Sequence, residues 1–414
     1  MKTLILIIFT IILFSSCNLI IFHTNVSKDD SLRIVRKPDS IVYRFGKLDS
    51  LPKYKEGSAE YWERDLRCYD PSSLNLKNNL TELLHSDFDS KTNWPKSLPV
   101  GFNPDSIMEI GKNPGLGIRK LHKLGITGKG VGIAIIDKNL LVDHVEYKDQ
   151  LRMYEEIHIS KLGGMQAMQA QMHGPAVASI AVGKTVGVAP EADLYYISSS
   201  NESRFSNIYY FLFKKIKYLT PKWYVKSIYR ILEINKKLPQ DKKIRVISIS
   251  WNCDRKDFLQ AVKDADKEGV FVISCAIQKT HNLRFNGLGK ESLKNPDDIN
   301  SFSPGLWWAK SFYTNPDEFK IDSTLMVPMD SRCTASQSGN NSYVFYINGG
   351  WSWSVPYIAG LYALACQVNQ GITPKEFWNK ALETGDVIEI EKNNKKYKLG
   401  KIVNPVKLME SLKQ

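Results

Sequence analysis

From about residue 115 onward the chain alternates two kinds of hydrophobic pattern. Continuous apolar runs of strand length occur at Val131–Ile136, Leu194–Ile197, Ile244–Ile249 and Val270–Ile273. Stretches of helical character fall between or after them: His173–Val182, Trp223–Lys236, Phe258–Lys267 and Pro356–Gln367. A strand that is apolar at nearly every position is covered on both faces, and helices between such strands supply the cover. The pattern therefore predicts an α/β fold, three-layer, with a mainly parallel twisted sheet and helices on both faces. Upstream the periodicity fades. Residues 49–114 are loop-rich, with Tyr69-Asp70-Pro71, Asn93-Trp94-Pro95 and Phe102-Asn103-Pro104, and one short helix is expected near Leu76–His85. This irregular N-terminal extension is expected to pack on the core. Residues 18–48 are polar without clear periodicity and read as a tether.

The first residues carry a different signal. Met1-Lys2 precede the apolar run Leu4–Phe14, and Ser15-Ser16-Cys17 follow it. A basic start, a short apolar core and small residues describe a secretory signal peptide. Cysteine directly after the small pair makes it resemble a bacterial lipoprotein signal, which implies cleavage, lipidation at Cys17 and a membrane-anchored lipoprotein. The competing expectation is an uncleaved anchor over Leu4–Phe22. Both place the remainder outside the cytoplasm, facing the periplasm or the cell exterior. The expected divisions are thus 1–17, 18–48, 49–114 and a main domain at 115–414.

Composition narrows the classes. With 43% hydrophobic and 24% charged residues, a disordered chain, a collagen-like repeat and a polytopic membrane protein are excluded. The net charge of +13 makes the surface basic without bearing on fold. Six cysteines without a C-x-x-C pair argue against a disulfide scaffold and a zinc knuckle. With Cys17 lipidated, an odd number would remain, so at least one stays free or pairs between chains. The basic stretch from Lys214-Lys215-Ile216-Lys217 to Lys242-Lys243-Ile244-Arg245 reads as a solvated insertion, with an anionic polymer or lipid surface as the alternative partner. Gly128-Lys129-Gly130 precedes its strand instead of following it, so it is no nucleotide loop. No cofactor, metal or nucleic-acid partner is expected, and a monomer is.

Three residues carry candidate chemistry. Asp137 stands directly after the run Val131–Ile136, at the strand end where α/β sheets gather functional groups. His173 opens a helical stretch, and Ser352 precedes an apolar one. Each alone has a plain structural reading: a strand terminator, a surface imidazole, a helix N-cap. Together, in the order Asp, His, Ser, they match one of the convergent arrangements of the serine–histidine–aspartate triad.

The surrounding motifs carry a family resemblance. Gly130–Asp137 with His144 seven residues on, His173-Gly174 with Val177-Ala178, Gly187-Val188-Ala189-Pro190, and Gly350-Trp351-Ser352-Trp353-Ser354-Val355-Pro356 with Ala359-Gly360 resemble the motifs of the subtilisin-like serine proteases, the subtilase family. Gly400–Leu408 is similar to the segment that closes that domain. The resemblance spans roughly 115 to 412. It implies that Ser352 is the nucleophile, His173 the general base and then acid, and Asp137 the group that holds the imidazole. It also implies an oxyanion donor at Gln278, where the family has asparagine, with Asn282 as a second candidate. Val246–Asn252 corresponds to the edge strand on which the family lays out its substrate, making Ser250, Trp251 and Asn252 substrate-binding. The expected function is a secreted, lipid-anchored serine endopeptidase acting on protein or peptide. Lys138-Asn139, Pro175, Ala176, Trp351 and Trp353 depart from the family pattern. Gln278 and the bulky flanks Trp351 and Trp353 motivate the alternative: a catalytically weak or inactive relative that binds peptide or protein partners at the cell surface. The short Gly183–Val186 turn lacks the carboxylates of the family's calcium loop, so no calcium is expected there.

Overall fold

The structure, a computed structural model, describes residues 22–25, 32–42, 46–55, 65–67, 69–159, 168–199 and 220–413. The signal region with Cys17 and the stretch Lys214–Lys217 lie outside the described residues. The chain opens with strand β1 (Phe22–Asn25), then helix α1 (Leu80–Leu84), β2 (Phe88–Asp89), α2 (Pro104–Lys112) and α3 (Ile118–Lys123). Next come β3 (Gly132–Asp137), β4 (Leu151–Ile159), α4 (His173–Val182), β5 (Asp193–Ser198), α5 (Thr220–Lys237), β6 (Ile244–Ile249), α6 (Lys256–Lys267), β7 (Phe271–Ser274) and α7 (Ile277–His281). The remainder holds β8 (Phe285–Lys290), β9 (Phe302–Pro304), α8 (Ala309–Thr314), β10 (Leu325–Pro328), β11 (Arg332–Ala335) and β12 (Tyr343–Tyr346). Helices α9 (Trp351–Val368) and α10 (Pro374–Glu383), the hairpin β13 (Asp386–Lys392) and β14 (Lys395–Ile402), and α11 (Pro405–Ser411) close it.

The main sheet runs β1-β4-β5-β3-β6-β7. Its five strands from β4 to β7 are parallel, and β1 pairs antiparallel with β4 at the edge. The α/β architecture read from the sequence is the one observed. Side chains alternate along β3. Ile133 and Ile135 enter the cluster built on α4 and α9, whereas Ala134 and Ile136 enter the one built on α5 and α6. Continuing the pleat, Asp137 falls on the α4/α9 face. Helices α4 and α9 are buried almost all round because they pack on each other as well as on the sheet.

One sequence expectation needs correction. The strand β6 is interior, paired with β3 on one side and β7 on the other, so Val246–Ile249 is no free edge. Its ladder with β7 ends at Ile249 and Ser274, and only residues from Ser250 onward leave the sheet.

A third apolar cluster joins the extension to the main domain. Leu66, Leu76, Leu83, Phe88 and Phe102 pack with Cys333, Phe345 and Ile347. Strand β2 pairs with β12 and completes the sheet β11-β12-β2. Asp87 Oδ1 accepts from the Ile347 N–H at 2.8 Å, bracing the segment that leads to Ser352. Four cysteines, Cys253, Cys275, Cys333 and Cys366, are free thiols, and Cys68 lies outside the described residues.

Candidate active site

Asp137 and His173 meet at the carboxyl end of the sheet. His173 Nδ1–H donates to Asp137 Oδ1 at 2.6 Å, with the carboxylate 5% exposed and the imidazole 27%. Asp137 Oδ1 also accepts from the Lys138 N–H at 2.7 Å. A carboxylate accepts only, so Nδ1 carries a proton, and in the neutral ring Nε2 is the nitrogen with the lone pair. That second nitrogen has no hydrogen-bond partner among the described residues. The Tyr196 hydroxyl holds the Lys138 carbonyl, fixing the turn beneath Asp137.

Ser352 sits in the first turn of α9, on the same face of the sheet. Two glycines shape its approach. Gly350 has φ +64° and ψ 169°, a region open to glycine alone. A Cβ on Gly349 would lie 2.3 Å from the Met329 carbonyl oxygen and 2.6 Å from the Trp353 ring. The Ser352 hydroxyl donates to the Ser250 carbonyl at 3.5 Å and makes no hydrogen bond to His173. In return, the Ser250 hydroxyl donates to the Ser352 carbonyl at 3.0 Å. The structure therefore joins Asp137 to His173, and Ser250 to Ser352, as two hydrogen-bonded pairs.

Trp353, next to Ser352 in sequence, packs against the first pair. Its indole is buried edge-on to the His173 ring, with centroids 5.4 Å apart, and edge-on to Tyr346 at 5.3 Å. Tyr346 accepts at its hydroxyl from Arg67 Nη1 at 2.6 Å, and the Arg67 guanidinium binds Asp65. The N-terminal extension thus reaches the imidazole through two aromatic rings. Sequence reasoning noted Trp353 only as a departure. Its place in an apolar helix was the available signal that the ring turns inward.

The remaining candidates divide. Gln278 stands exposed in the first turn of α7 and lines a cavity of about 210 Å³ together with Cys275, Phe285, Phe319 and Trp351. Asn282 caps that helix in the left-handed conformation and does not line the cavity. The Ser352 N–H, at the positive end of α9, has no hydrogen-bond partner among the described residues. Trp251 turns toward the opposite face, where its ring stacks on Tyr224 of α5 at 4.7 Å and 10°. Asn252 is exposed beyond the sheet end. His144 is fully buried, donating from Nε2 to the Ser342 carbonyl at 2.9 Å and accepting the Glu146 N–H at Nδ1, so its role is structural. Among the described residues no group of three His, Cys, Asp or Glu is placed to hold a metal ion.

Comparison with known proteins finds a family match over part of the chain and distant structural likenesses. The family model described as "Subtilase family" matches residues 128–308. Among solved structures, the chain is similar to the prenylagaramide maturation protease PagA, with 13% identity, TM-score 0.46, and coverage of 72% of this chain and 98% of that one. It is also similar to the PatG macrocyclase domain, with 15% identity, TM-score 0.44, and coverage of 72% and 94%. No curated protein matches significantly in sequence.

Proposed function

We propose that the protein, whose residues 128–308 match the subtilase family model, is a serine endopeptidase using Ser352, His173 and Asp137. One observation carries the reading. The 2.6 Å Asp137–His173 hydrogen bond leaves Nε2 as a free base at the sheet end where α9 delivers Ser352. Ser352 Oγ would attack the scissile carbonyl while His173 Nε2 takes its proton, then returns that proton to the leaving amine. Asp137 holds the tautomer and stabilises the imidazolium. The Ser352 N–H and the Gln278 amide would receive the oxyanion.

The reaction requires the Ser352 hydroxyl to leave the Ser250 carbonyl. At 3.5 Å that bond is long and weak, so little opposes rotation of the hydroxyl about Cα–Cβ. Hydrogen bonds of this kind tighten when substrate fills the site. Export and lipid anchoring through Cys17 complete the proposal, supported by Leu4–Phe14 and Ser15-Ser16-Cys17. Replacement of Cys17→Ser is expected to move the protein from membrane to soluble fractions.

The unformed Ser352–His173 bond motivates a second reading, a silent relative that binds peptides in the same groove. A fluorophosphonate probe decides between them. Wild-type protein should label and Ser352→Ala should not; equal labelling of the two rejects the protease reading.

A further inference from the structure

A cavity of about 310 Å³ lies where the extension meets the main domain. Leu84 and His85 wall it from the extension side; Lys290, Pro304, Leu306 and Asp330 wall it from the strands β8, β9 and β10 and the turns that follow them. Two ionisable side chains are buried in this wall, Lys290 at 7% exposure and Asp330 at 3%. They do not form an ion pair. The Lys290 ammonium donates once, to the Glu291 carbonyl at 2.8 Å. Two of its three donors therefore have no acceptor among the described residues. Asp330 is engaged elsewhere: Oδ1 accepts from the Gly349 N–H and Oδ2 from the Leu306 N–H, each at 2.9 Å. Burial pushes Lys290 down to about 8 and Asp330 up to about 7, as expected for charges withdrawn from water.

We propose that this cavity is a binding site for a small carboxylate with an apolar body, held by the Lys290 ammonium and coupled to the Ser352 loop through Asp330 and Gly349. The chemistry selects that ligand class. A buried ammonium with unused donors needs an anionic oxygen, while the Asp330 carboxyl in the same wall disfavours a dianion such as phosphate. Leu84, Pro304, Leu306 and Ile347 provide the apolar lining. The coupling is geometric. Asp330 holds Gly349, three residues before Ser352, so a ligand that shifts Asp330 shifts the approach to the nucleophile.

Binding does not depend on the protease reading; the coupling does. The test uses the full chain in detergent, with thermal unfolding followed against 4-methylpentanoate, phenylacetate, 4-methylpentanol and inorganic phosphate. The carboxylates should raise the melting temperature saturably, with Kd of about 1 mM or tighter. Lys290→Gln should weaken them by roughly 10- to 100-fold. Ser303→Phe, which fills the cavity from β9, should abolish binding even if the lysine variant folds poorly. An equal shift in Lys290→Gln, an equal shift from the alcohol, a stronger one from phosphate, or none with any carboxylate overturns the site. Saturating carboxylate should also change the rate of fluorophosphonate labelling in wild type but not in Lys290→Gln. An unchanged rate with ligand bound overturns the coupling. If Ser352 never labels, it is the protease reading that fails, and the thermal result stands apart from it.

Discussion

The Ser250 hydroxyl donates to the Ser352 carbonyl at 3.0 Å, an acceptor that helix α9 cannot serve itself. The helical partner of that carbonyl would be the N–H four residues on, and there the chain has Pro356. Serine at 250 thus replaces a missing backbone donor and fixes the carbonyl of the nucleophile's own residue. Ser250→Ala should cost about 0.5–1.5 kcal/mol, the net worth of a part-buried hydrogen bond. Adding Pro356→Ala restores an N–H at the right position and should recover part of that loss. Urea unfolding of the two single variants and the double variant checks this. A coupling of at least about 0.5 kcal/mol is expected, and strict additivity would rule out the substitution of one donor for the other.

Asp137→Asn tests the orientation of the imidazole. The amide oxygen can still accept from the Lys138 N–H, so the fold should hold. The amide can also donate to the ring, which lets the proton sit on Nε2 and leaves no base facing Ser352. Turnover and fluorophosphonate labelling should fall by about 10³- to 10⁴-fold, with the melting temperature little changed. A decrease under about tenfold would mean that the carboxylate does not set the tautomer.

How far the sequence disclosed this arrangement depends on whether the cause was local. Ile244–Ile249 was readable residue for residue as β6, because an apolar run between turns has few other fates. Asp137 was readable as a strand end, and the pleat then fixes the face it shares with Ile133 and Ile135. The hairpin β13–β14 was overlooked, although Val387, Glu389 and Glu391 alternate with Ile388 and Ile390, and Asn393 and Asn394 both take positive φ at its turn. That signal is the period of 2 with an Asn pair. The pairing of β2 with β12 joins residues more than 250 apart in the chain, and no local pattern encodes it. The same holds for Trp353. Flanking the serine, it read only as a departure from the family pattern, whereas its ring packs edge-on to His173.

Trp353 separates volume from hydrogen bonding. Its ring is buried between His173 and Tyr346, yet its Nε1–H has no hydrogen-bond partner among the described residues. Trp353→Ala should cost about 3–5 kcal/mol through the cavity it leaves. It should also slow labelling of Ser352, since the imidazole loses the surface that restrains it. Trp353→Phe keeps an aromatic edge and deletes the unsatisfied donor, so its cost should stay within about 1.5 kcal/mol. Chemical denaturation with parallel labelling rates checks both. A phenylalanine variant as damaged as the alanine one would show that the indole nitrogen has a partner after all.

Two histidines held neutral in the folded state withdraw stability on acidification. Buried His144 donates from Nε2 to the Ser342 carbonyl at 2.9 Å, and half-buried His122 donates to the Val188 carbonyl at 2.8 Å. Burial pushes both below the ordinary value of 6.5, more than the carbonyl bonds and the nearby Glu146 and Glu191 raise them. Below pH 6.5 the unfolded chain takes up protons at these positions while the folded rings stay neutral. The unfolded state then binds more protons, and stability rises with pH through that window. The contribution is complete above about pH 6.5 and is lost as pH drops through the folded values. Asp330, pushed up to about 7, acts in the opposite sense over the same window, because the folded state keeps a proton there that the unfolded chain releases, so the histidine contribution is read by calorimetry as the difference between wild type and a histidine variant. Replacing His144→Gln preserves a donor for Ser342 without a titrating ring, so the melting temperature of wild type relative to this variant should drop between pH 7 and pH 5. Parallel curves for the two proteins would locate the acid sensitivity elsewhere.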